Sequence, residues 1–178
     1  GFYTPYNYLD AVASGAPPFQ EVFDLFGESK PAFNDFLSVM NSHERHYMNS
    51  RNGAISPNWS SSFLSRLDAA TIYSAVAHFK PDRIVEIGSG NSTMFMSRAI
   101  FDHGLGTKMR CIDPKPRIDI DKLPIQIDRR VLSLDDVAQI ATLSAGDILF
   151  VDSSHILQPD FDVDIILNFG PPPVRYEP

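Results

Sequence analysis

Between residues 63 and 169 the spacing of apolar positions switches repeatedly between the period of a helix and that of a strand. Residues 63–79 set Leu64, Leu67, Ala70, Ile72, Val76 and Phe79 on a helical face turned to a sheet, with serines at 60–62 offering an N-cap and Pro81 closing the run. Arg83-Ile84-Val85-Glu86-Ile87 reads as a strand and Gly88-Ser89-Gly90 as a tight loop. Residues 94–101 then read as a helix, capped by Asn91 or Ser92 and ended by Gly104-Leu105-Gly106. A second strand stops at Asp113-Pro114, 126–131 predict a third, and 133–143 predict a helix with Asp135 and Asp136 in its first turn. The unbroken apolar run at 148–151 predicts a fourth strand buried on both faces, and 161–169 a last helix. Upstream, 19–26 and the longer run from Pro31 to Asn49, with Phe33, Phe36, Leu37, Met40 and Tyr47 as its stripe, predict helices that cap the sheet. The alternation predicts an α/β fold, a doubly wound and mainly parallel sheet over 63–169. An arm and helical cap occupy 1–62, and a proline-rich tail 170–178.

The glycine loop carries the chemistry. Gly88 and Gly90 let the backbone turn sharply and leave main chain bare for a ligand, and the helix that follows presents unpaired N–H groups to an anion. Ser89 and Ser92 add hydroxyls beside it. A dinucleotide fingerprint wants a third glycine at position 93, where this chain has Thr93. Glu86 sits at the end of a strand expected to be buried and needs a cationic or hydrogen-bonding partner. A ligand with both a carboxylate and an ammonium would satisfy the two ends of the loop.

Glu86, Gly88 and Gly90 resemble the Glu-x-Gly-x-Gly first motif of class I S-adenosylmethionine-dependent methyltransferases, a Rossmann-like family, and the likeness covers roughly residues 66–160. Asp113 closes the second strand 23 residues after Gly90, near the spacing expected for an acid that holds a ribose diol. Asp152 is a third strand-end acid, in Asp152-Ser153-Ser154-His155. The resemblance implies S-adenosyl-L-methionine as cofactor and a sheet in the order 3-2-1-4. In the family that sheet continues through further strands, which this chain lacks room for, so a truncated member is implied. It further implies a polar contact to the adenine amino group just past the third strand, where Leu132, Ser133 and Asp135 stand. Methyl transfer needs in-line alignment and a deprotonated acceptor. His155 has the intrinsic pKa to take that proton, and Asp152 stands close enough to orient it. A nicotinamide-dependent oxidoreductase and a non-catalytic remnant that keeps the ligand pocket are the alternative readings.

Charge narrows the partners. A net charge of −7 with no run of Lys or Arg disfavours a nucleic-acid backbone, leaving a small-molecule acceptor. The single cysteine, Cys111, excludes an internal disulfide framework and fits a reducing, cytoplasmic setting. No apolar stretch has the length of a membrane span, and no basic-then-apolar leader opens the chain, whose Gly1 reads as a cleavage scar. A sheet ending at its fourth strand leaves an apolar edge open to pairing, which predicts a homo-oligomer that covers it. His43 and His46 share a helical face at metal-pair spacing. With no third ligand near them in the sequence, they are read as a solvated polar face, and no metal is expected.

Overall fold

The computed structural model describes residue 24 and residues 26–50, 52–53 and 55–169. The arm at 2–18, most of the helix at 19–26 and the tail at 170–178 lie outside the described residues. The chain divides into two compact units, 1–38 and 39–178, with the boundary inside helix α1 (Lys30–Ser42). The single helix expected from Pro31 breaks at His43, whose backbone (φ −93°, ψ 5°) separates α1 from α2 (Glu44–Asn49).

In the second unit, strand and helix alternate as α3 (Arg66–Phe79), β1 (Arg83–Ile87), α4 (Asn91–Asp102), β2 (Lys108–Ile112), β3 (Gln126–Asp128), α5 (Leu134–Ile140), β4 (Ile148–Val151) and α6 (Asp162–Phe169). The four strands form one all-parallel sheet in the order β3-β2-β1-β4, a Rossmann-like arrangement. Strand side chains alternate between two cores, as period two requires. Ile84, Met109 and Cys111 pack with Tyr73, Val76, Phe95 and Ala99 of α3 and α4. Ile87 and Ile112 face the other way, with Ile140 of α5 and Ile165 of α6. Among the described residues no helix is long and apolar enough to cross a membrane.

Several boundaries differ from expectation, each for a local reason. Helix α3 starts later than residue 63, because Ser65 caps it by accepting from the Asp68 amide at 3.2 Å. Its buried face is Ala69, Ile72, Tyr73, Val76 and Ala77, whereas Leu67 and Phe79 are exposed. Strand β3 ends at Asp128, where the Arg130 amide turns back to the Asp128 carbonyl at 2.9 Å. At the open edge of the sheet β4 is only partly buried and Val151 is 43% exposed, in place of burial on both faces.

Residues 39–62, grouped with the arm in the expectation, pack within the second unit. Arg98 on α4 is buried and donates to the carbonyls of Asn52 (2.6 Å) and Ile55 (2.8 Å), while its Nε holds Asp102 at 2.8 Å. Trp59 donates to Ser50 at 2.8 Å, meets Phe95 edge-on and lies tilted against Tyr47, which makes residues 55–59 a packed connector. His43 and His46, read as a solvated polar face, are half-buried and joined by His103, which follows α4. Burial first, and then the neighbouring His103 and His46, hold the His43 imidazole below its ordinary range.

Candidate functional site

The carboxyl ends of β1, β2 and β4 open into a cavity of about 340 Å³. Parallel register brings the three strand ends level. Glu86 pairs with Cys111 on one side and Phe150 on the other, so the residues leaving β1, β2 and β4 are Gly88, Asp113 and Asp152. The Gly88 amide donates to the Ile112 carbonyl at 2.9 Å and the Asp152 amide to the Ile87 carbonyl at 3.1 Å, extending the ladder one residue on each side.

The two glycines answer different demands. Gly88 has φ +94°, and a Cβ there would stand 2.1 Å from the Asp152 carbonyl oxygen, so the crossing of two chain segments requires the bare residue. Around Gly90 a Cβ would meet no atom within 4 Å. Both residues line the cavity together with Ser89 and Ser92. The free space beside Gly90 is what a ligand laid against main chain would use.

Asp113 is buried in the cavity wall. Its Oδ2 accepts from the Ser89 hydroxyl at 2.6 Å and its Oδ1 from the Lys115 amide at 2.7 Å, which aims the carboxylate along the loop. On the other wall, Asp152 Oδ1 lies 3.0 Å from His155 Nε2, and the His155 side chain is 73% exposed. His155 has φ +58°, a left-handed conformation uncommon for a residue with a Cβ and costing roughly 1–3 kcal/mol. Ser154 donates through its amide to Asp162 at 2.9 Å, so the first turn of α6 braces this loop.

Glu86 departs from expectation. It is fully buried and does not line the cavity, so it is not available to a ligand's ammonium. Its carboxylate accepts from Ser92 at 2.6 Å, from Thr93 at 2.7 Å and from the Cys111 thiol at 3.1 Å. The Gly90 amide in turn donates to Thr93 Oγ1 at 2.9 Å. Glu86 therefore fixes the loop from beneath, and Thr93, at the site of the absent third glycine, is the link between them. Asn91 and Ser92 do not cap α4, because their side chains are committed to Asn58 and Glu86.

Burial outweighs these three hydrogen bonds and pushes the Glu86 carboxyl up to about 7. Such a raised acid favours the folded state when protonated, and that contribution is lost as pH rises from about 4.5 to about 7. Comparing Glu86→Gln with the parent chain cancels every other titration. Urea unfolding at pH 5 and pH 8 is expected to show the parent losing up to about 3 kcal/mol relative to the variant. Parallel pH profiles would show that the carboxyl titrates normally.

Ser133 also lies outside the cavity. Its hydroxyl and amide both donate to Asp136 at 2.9 Å, capping α5, and Asp135 is exposed on the same helix. Leu132 and Val131 line the wall where a polar contact was expected. Phe63, Arg117 and Ile118 also line the cavity, with the Arg117 guanidinium 5.3 Å over the Phe63 ring. The loop after β2 gave no periodic signal to reveal Arg117 and Ile118, and Phe63 was read as the start of α3. Compared with protein-family models and with curated proteins, the chain matches none.

Proposed function

We propose that this chain binds S-adenosyl-L-methionine and transfers its methyl group directly, in line, to a small-molecule acceptor. The observation that carries the reading is the meeting, in one cavity, of open main chain at Gly90 and a pre-aimed carboxylate at Asp113. The ribose diol falls to Asp113, the methionyl carboxylate to the loop and the first turn of α4, and the adenine to the apolar wall of Ile118, Val131 and Leu132. The sulfonium is already a good leaving group, so the protein's task is alignment and removal of the acceptor's proton. His155, exposed at the rim and held by Asp152 at 3.0 Å, is the base in this reading.

Calorimetry with S-adenosylhomocysteine tests the assignment. Asp113→Ala is expected to weaken binding by about 1–3 kcal/mol, roughly 5- to 150-fold, while His155→Gln keeps wild-type affinity and loses turnover. Wild-type affinity in Asp113→Ala would remove the ribose assignment. Thermal stabilisation by NAD or NADP, with none by S-adenosylhomocysteine, would favour the oxidoreductase reading.

A further inference from the structure

One cluster away from the cavity has the composition of a metal ligand set. His43 precedes α2, His46 lies in it, and His103 follows α4. The ring centroids are 5.7 Å apart for His43–His46, 5.2 Å for His43–His103 and 4.8 Å for His46–His103. One nitrogen from each ring lies within 4.8 Å of the other two, and all three residues are half-buried. We propose that His43, His46 and His103 form a binding site for a zinc-class transition-metal ion, separate from the methyl-donor cavity.

Three imidazoles suit zinc, copper or nickel, and with three protein ligands a water completes a tetrahedron around zinc. Metal–nitrogen bonds of about 2.0–2.1 Å place tetrahedral ligand atoms about 3.4 Å apart, so each ring moves inward by less than about 1 Å to close the site. The backbone is already set for this. His46 donates its amide to the His43 carbonyl at 2.9 Å, which holds the pair in one helical turn with both rings on one side. The third ring is braced by an outer layer. The Tyr73 hydroxyl lies 3.4 Å from His103 Nε2 and donates to Asp102 Oδ2 at 2.8 Å, while Arg98 holds the other Asp102 oxygen. Such outer partners orient metal-bound imidazoles.

The position gives the site a consequence. His103 follows the last turn of α4, and the cavity takes Asn91 and Ser92 from its first turn, about 18 Å away along a 12-residue helix. An ion here would clamp α2 to the end of α4 without touching the reacting groups.

The test uses the whole chain prepared without a polyhistidine tag, stripped with chelator, and titrated with Zn²⁺ and Co²⁺. The expected result is uptake of one equivalent at micromolar or tighter affinity, the intense visible bands of four-coordinate cobalt, and a rise in melting temperature. His46→Gln and His103→Gln should each lose at least about tenfold in affinity, while His155→Gln, whose ring lies in the cavity, binds as the parent does. Metal-free melting curves of the variants matching the parent's would show that the loss is not a folding defect. No stoichiometric uptake, or equal affinity in the His46 and His103 variants, overturns the proposal, and three packed aromatic rings remain.

Discussion

Replacing Gly88 by alanine is expected to destabilise the protein by about 2–6 kcal/mol, through two effects that add. A side chain at φ +94° occupies a backbone region that favours glycine, costing roughly 1–3 kcal/mol. Its Cβ would also stand 2.1 Å from the carbonyl oxygen of Asp152 and 3.0 Å from the carbonyl carbon. Both are backbone atoms, so relief requires the β1 and β4 ends to separate, an overpacking cost of about 1–3 kcal/mol. Gly90→Ala is the control: it has open space around it and an extended φ of 163°, so it is expected to unfold at the parent's urea midpoint. Equal midpoints for the two alanine variants would show that the strand ends are not in tight contact.

Arg98→Met is expected to cost about 3–5 kcal/mol, because it breaks a buried ion pair by removing one partner. Arg98 and Asp102 are both largely shielded, with side-chain exposures of 9% and 11%. Without the guanidinium, Asp102 keeps only the Tyr73 hydroxyl among these two partners, and the carbonyls of Asn52 and Ile55 lose their donor. Lysine is a poor substitute, since its ammonium cannot hold a carboxylate and several carbonyls in one plane. Arg98→Lys should recover less than half of the loss in urea unfolding. Limited proteolysis of either variant is expected to cut first in the turn at Asn52. A variant with wild-type stability and no new cleavage would show that this turn is held by Trp59 alone.

The strand–helix alternation was legible because period two and period 3.6 are distinct along this chain, and the β1 loop because glycine has few other uses there. What was hidden is instructive. The stripe on α3 was assigned to Leu67 and Phe79 because they are apolar, yet Tyr73 takes the buried place, its hydroxyl satisfied by Asp102. Glu86 correctly signalled a buried acid in need of partners. Those partners proved to be Ser92, Thr93 and Cys111, the last of them on a neighbouring strand whose register no linear reading supplies. Arg98 and His103 escaped for the same reason. Each acts on segments some 45 to 60 residues earlier, a separation that local pattern does not encode. The contact between Asp152 and His155 was legible because the two are three residues apart, and a turn brings such neighbours together.

The bond from Ser89 to Asp113 means that this cavity wall is already engaged with itself. An incoming diol would not meet a bare anion. In the proposed reading it would compete with a hydroxyl that the protein supplies, so selectivity at this wall would rest on the difference between two nearly equivalent donors. A guest with a single hydroxyl would gain less at this wall than one with a correctly spaced pair.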